Sequence, residues 1–175
     1  MDRFVAIGEV VKAVGLKGEV KLYPLLDYWP DVVASRFAVW SDGSPVEVTG
    51  LRPSGNCDAI RIAGVEDRNG AEALVGREIG FLRESYGDPE FPRPAGGLPF
   101  RYVGRQVATV AGEPVGTVTE VRFTGSNHLL VITDPDRPGV EILVPAVAPI
   151  LQPDDRLVGV LVLDPPEGLL DVQDR

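Results

Sequence analysis

VVKAVGLKGEVKL, residues Val10 to Leu22, is the stretch whose reading decides the fold. Two glycines flank a lysine in Gly15-Leu16-Lys17-Gly18. A phosphate-binding loop would need G-x-x-x-x-G-K followed by Ser or Thr, set between a strand and a helix, and would make the chain α/β. Here Gly18 follows Lys17, and Glu19 to Leu22 alternate polar and apolar as a strand does. The stretch therefore reads as two strands joined by a turn, with glycines that tolerate positive φ. It also holds all three lysines of the chain, Lys12, Lys17 and Lys21. The residues leave two readings open: a turn with solvated lysines, or an edge onto which something larger docks.

Strand signals continue outward from this hairpin. In PVEVTGLR, Val46 and Val48 alternate with Glu47 and Thr49, and Asp42-Gly43 just before them is a tight-turn signal. AIRIAGV places Ile60 and Ile62 on one face and Arg61 on the other. One helix stands out. In EDRNGAEALVGRE, Asn69 with Glu72 three residues later predicts a capping box, Ala71, Leu74 and Val75 form a short apolar stripe, and Gly76 is the stop. A shorter helical turn is expected at Asp31–Ala34.

The pattern breaks at SYGDPEFPRPAGGLP, where Pro89, Pro92, Pro94 and Pro99 mix with Gly87, Gly96 and Gly97. Proline removes backbone donors and glycine tolerates most angles, so this reads as a linker. The expected organisation is a first domain over 1–85, a linker over 86–99 and a second domain over 100–175. Strands resume as GRQVATV, GEPVGTVTEVRF, NHLLVIT, VEILVP and LVGVLVL. Short strands without intervening helices predict antiparallel sheet, and closure into a small barrel would remove the exposed edges. The apolar run Leu157–Leu163 reads as a strand buried on both faces, ended by Pro165-Pro166. The fold class is thus all-β, two small β-barrels joined by a Pro/Gly-rich linker.

Charge narrows the function. The net charge is −9. Residues 1–85 carry 10 basic and 13 acidic side chains, net −3, and the remainder 7 and 13, net −6. Nucleic-acid binding over a whole surface needs a basic chain, so only a local patch could serve it. An acidic surface instead favours a basic protein partner. One cysteine permits no internal disulfide, which fits a reducing compartment. The start MDRFVAIGEV predicts no signal peptide, and no apolar run is long enough for a membrane helix. The expectation is a cytoplasmic protein without membrane contact.

Catalytic signals are sparse. The single His128 sits at a strand start, where it reads as a structural histidine, and the single Cys57 follows a turn. No serine sits in a G-x-S-x-G elbow. DPDRPG lacks the length and terminal Glu of a calcium loop, and no Cys pair or second His offers a metal site. No catalytic residues, metal or cofactor are expected. DPPEGLLD reads as the end of the last strand, with Leu169 and Leu170 packing back on the barrel.

Five segments in order, IGEVVKAVGLKGEVKL, VEDRNGAEALVGREI, GEPVGTVTEVRFTGSNHLLVI, EILVPAV and VLDPPEGLLDV, resemble the bacterial ribosome maturation factor RimM family. The resemblance implies a translation-factor-like barrel followed by a PRC-type barrel. It implies a non-enzymatic, monomeric factor that binds the free small ribosomal subunit and assists late assembly and rRNA processing. The implied partners are a basic ribosomal protein of the subunit head, met by the second domain, and nearby rRNA. Lys12, Lys17 and Lys21 then become rRNA phosphate contacts at the edge of the first barrel, contributing charge rather than sequence readout. Phe100, Arg101 and Tyr102 stand at the entry to the second barrel and are carried over as the ribosomal-protein contact; the residues themselves equally allow Phe100 and Tyr102 to be a core or linker-anchoring pair. Two departures from the family pattern stand out. Val14 replaces the usual His or Gln before the first glycine of the turn. The acidic residues that usually accompany paired aromatics at the second-barrel entry are missing, and Arg101 separates Phe100 from Tyr102.

Overall fold

The computed structural model describes residues 3–154 and 156–171. The chain divides into two compact units, Met1–Gly96 and Gly97–Arg175.

The first unit contains β1 (Phe4–Val14), β2 (Glu19–Pro24), a helical turn α1 (Pro30–Val33), β3 (Val39–Trp40), β4 (Val48–Ser54), β5 (Cys57–Ile62), helix α2 (Arg68–Glu72) and β6 (Glu78–Leu82). Its six strands run in the order β3-β6-β1-β2-β5-β4, with antiparallel pairing throughout. The segment between the edge strands closes the barrel. Pro45 bridges Val39 on one side, and the Ala63 amide donates to the Glu47 carbonyl on the other. Alternation puts Val20, Leu22, Ile60 and Ile62 inside, as the sequence pattern predicts.

Helix α2 forms where expected, but its cap is Asp67 rather than Asn69. The Asp67 carboxylate accepts from the Gly70 amide at 2.7 Å, and Asn69 lies inside the helix. Both residues are good caps. Asp67 is the one left with extended backbone angles.

The stretch after β6 packs closely on the first unit. A 3-10 turn, Arg83–Gly87, buries Tyr86. Phe91 then inserts its ring among Phe37, Phe81 and Tyr86, with centroids 5.2, 4.9 and 5.3 Å away. The expected linker over 86–99 thus begins inside the first unit, which runs to Gly96: proline and glycine content marks the loss of periodicity, but Tyr86 and Phe91 are buried as isolated aromatic anchors that need no periodicity.

The second unit begins with a 3-10 turn, Pro99–Tyr102, followed by β7 (Gln106–Thr109), β8 (Pro114–Phe123), β9 (His128–Thr133), β10 (Glu141–Pro145) and β11 (Leu161–Leu163). The order is β10-β9-β8-β7-β11. Pairing is antiparallel except for β11, which runs parallel to β7. That corrects the expectation of a wholly antiparallel sheet. The segment after β10 supplies the long return that a parallel pair requires. The same segment closes the barrel, since Leu151 bridges Leu163 and the Gln152 amide donates to the Val162 carbonyl. The core contains Val118, Leu130, Ile132, Ile142, Val144, Leu161 and Leu163, with Leu169 and Leu170 packed against it as expected. Val172, the last residue of the VLDPPEGLLDV segment, lies outside the described residues.

The run Leu157–Leu163 is not one buried strand. Only Leu161–Leu163 pair in the sheet, while Val158 is 76 % exposed. Arg105 explains the difference. Its buried guanidinium donates to the carbonyls of Gly159 and Arg156, both at 2.9 Å, and pairs with Asp154 at 2.6 Å. Those carbonyls face the arginine instead of a neighbouring strand. The Arg156 side chain, with Arg105 adding to it, holds the Asp154 carboxyl well below the usual carboxylate range.

Candidate functional site

The candidate site grows from the β1–β2 hairpin. Strict alternation along β1 would turn Lys12 inward with Val10. A bulge at Val11 prevents this, because β1 advances two residues, from Val10 to Lys12, while β2 advances one, from Leu22 to Lys21. The phase flips, so Ala13 is buried and Lys12 is exposed. Lys12 then stands directly opposite Lys21 on the outer face. Lys17 is exposed in the turn between the strands. Gly18 lets that turn lie flat on the neighbouring backbone: its φ is 78°, and a Cβ there would sit 2.2 Å from the Val65 carbonyl oxygen.

Like charges directly opposite one another destabilise a sheet, and among the described residues no ion pair or side-chain hydrogen bond engages either lysine. Every described arginine is engaged by an ion pair, hydrogen bond, ring or other electrostatic contact. Among the described residues none of the three lysines is. The nearest arginines on this face illustrate the contrast. Register aligns Lys12, Lys21, Ala59 and Arg52 in one row across four strands. Arg52 and its neighbour Arg61 both pair with Glu19, whose side chain is 12 % exposed. These three residues wall a shallow depression floored by Ala59. Of the three lysines expected from sequence, the structure sets Lys12 opposite Lys21 and leaves Lys17 exposed in the turn that joins their strands. It adds Glu19, Arg52 and Arg61, which only the register of distant strands could reveal.

The second expected site is placed differently. Phe100, Arg101 and Tyr102 form the 3-10 turn at the start of the second unit, and all three are buried. The Arg101 guanidinium lies 4.8 Å from the Tyr102 ring centroid and donates to the Tyr102 hydroxyl at 2.9 Å. Gly97 makes room for it, since a Cβ there would come 2.8 Å from the guanidinium carbon. In the isolated chain these three side chains offer a partner little area.

His128 opens β9, its ring 5.4 Å from that of Phe123, and burial pushes its imidazole below the ordinary value. Cys57 lies half-buried at the start of β5. Among the described residues no group of three or more His, Cys, Asp or Glu could hold a metal ion. Among the described residues no helix is long and apolar enough to cross a membrane.

The fold is thus two small closed barrels, with the cations left without an ion pair, hydrogen bond or ring contact among the described residues all on one hairpin of the first. The RimM N-terminal domain matches residues 5–86, and the RimM PRC barrel domain matches residues 99–169. The chain is 41% identical over 177 residues to the ribosome maturation factor RimM of Anaeromyxobacter sp. (strain Fw109-5), covering 95% of this chain and 98% of the relative. It is also 41% identical over 170 residues to that of Anaeromyxobacter dehalogenans (strain 2CP-C), with the same coverage. A crystal structure of a 16S ribosomal RNA processing protein RimM from Pseudomonas aeruginosa is 22% identical, with a TM-score of 0.44, over 92% of this chain and 98% of that one. The chain belongs to the ribosome maturation factor RimM family.

Proposed function

We propose that this protein is a non-catalytic cytoplasmic assembly factor that binds the free small ribosomal subunit as a monomer and assists late maturation and rRNA processing. Two domains, meeting near Gly96 and Gly97 and each able to fold alone, divide the work. The observation that carries the reading is the Lys12–Lys21 pair. An otherwise acidic chain keeps two unpaired cations face to face, with Lys17 in the turn that joins their strands, at a cost in stability that an anionic partner would offset. Phosphates of small-subunit rRNA fit that role. The second domain carries most of the net negative charge and suits a basic ribosomal protein of the subunit head. Phe100, Arg101 and Tyr102 serve that contact from beneath, by holding the turn that presents the exposed Val103.

Co-sedimentation with free small subunits and with assembled ribosomes tests the reading. The protein should pellet with the free small subunit alone, and the combined Lys12→Ala, Lys17→Ala and Lys21→Ala changes should weaken that association at low salt. Equal association with assembled ribosomes, or none with the free subunit, would sink it.

A further inference from the structure

We propose that the outer face of the β1–β2 hairpin takes an unpaired stretch of RNA, with Tyr23 stacking on a base while Lys12 and Lys21 hold the flanking phosphates. This rests on reading the lysines as rRNA contacts and adds which form of RNA they meet. Tyr23 lies two residues beyond Lys21 on β2, so the pleat puts both side chains on the same face. The separation along the strand is about 6.6 Å, comparable to one nucleotide of an extended chain. Tyr23 is 44 % exposed. Among the described residues neither its ring nor its hydroxyl has a partner. A large ring left open beside unpaired cations is the combination that single-stranded nucleic acid uses: charge tracks the backbone while a π-face accepts any base. In a duplex the bases are stacked inside, and the deep groove of A-form RNA is closed to side chains, so the ring would have nothing to stack on.

Charge also fixes which way the backbone runs. Glu9 stands opposite Tyr23, and Glu78 stands opposite Glu9 on β6. These carboxylates repel phosphate on that side of the ring and leave the path toward Lys21, Lys12 and Lys17. Arg52 and Arg61 remain committed to Glu19. Three phosphate contacts are therefore expected rather than five. At about 0.7 per contact, the logarithm of affinity should fall with the logarithm of salt with a slope of about −2.

The test is fluorescence anisotropy of the full chain with a short labelled oligoadenylate, alone and paired with its complement, across a salt series. The single strand should bind more tightly. Tyr23→Ala should weaken single-strand binding about 5-fold or more without changing the salt slope, and Tyr23→Phe should retain it. Each lysine-to-alanine change should reduce the slope by about 0.7. Equal affinity for strand and duplex overturns the proposal. So does a Tyr23→Ala variant that binds normally while the lysine variants do not, and in that case the lysines still contact RNA. A Tyr23→Phe variant as weak as Tyr23→Ala assigns the effect to the hydroxyl and overturns stacking. Indifference of binding to all three lysine changes removes the lysine reading itself.

Discussion

Replacing Phe91 with alanine asks whether the first unit ends before the proline-rich stretch or includes it. The ring is 4 % exposed and touches three other aromatic rings, those of Phe37, Phe81 and Tyr86. Truncating a buried Phe to Ala costs about 3–5 kcal/mol, through lost transfer energy and the cavity left behind. Loss of three ring pairs, each worth about 0.5–1.5 kcal/mol beyond area, places the cost toward the upper end. A domain of this size shifts its Tm by about 4–8 °C per kcal/mol, so the variant should melt at least about 12 °C lower. Circular dichroism melting of fragment 1–96, with and without the change, reads this directly. Fragment 1–85, which lacks both Tyr86 and Phe91, should be at least as unstable as the variant. A Phe91→Ala shift below about 3 °C, or a fragment 1–85 that melts like 1–96, would refute the idea that these rings hold the unit together.

Three other outcomes follow from particular contacts. Lys12→Thr removes like-charge repulsion against Lys21 and should stabilise the first barrel by about 0.2–1 kcal/mol, read as a higher Tm at low salt, while weakening RNA binding. Gly18→Ala should destabilise it more than Gly15→Ala, because both positions have positive φ but only Gly18 meets backbone within 4 Å; paired denaturant titrations decide it. Asp154 titrates well below its ordinary value when folded, so its contribution is present above the unfolded value of about 3.9 and fades as pH falls below it. Melting of the second unit across that acid range should show this loss, and Asp154→Asn should flatten it while costing about 3–5 kcal/mol at neutral pH.

Local chemistry in the sequence was enough to read the hairpin, the inside–outside alternation of β2 and β5, and the position of α2. The three lysines were visible as a group, but not as a facing pair. That geometry depends on the Val11 bulge, and strict alternation would have turned Lys12 inward. Glu19, Arg52 and Arg61 were separately unremarkable, because what joins them is register between strands far apart in sequence. The Leu157–Leu163 run misled for a related reason. Its hydrophobicity says nothing of Arg105, some 50 residues earlier, whose guanidinium claims the carbonyls that a strand would need. Phe100 and Tyr102 admitted two readings, a partner contact carried over from the family or a pair anchored in the core, because aromatic character alone does not reveal burial; in the structure both are buried.

The parallel pairing of β11 with β7 sets an order of events during synthesis. Residues of the first barrel can complete every one of their strand pairings while the second is still being made. β7, in contrast, has only β8 beside it until Leu161–Leu163 emerge, about 50 residues later. At about 5–20 residues per second, the wait is roughly 3–10 seconds. During that interval the Val107–Thr109 edge is open to pairing with any strand that meets it. A ribosome translating this chain therefore carries a finished barrel attached to an unfinished one, and the nascent form would be most prone to misassociate between the emergence of β10 and that of β11.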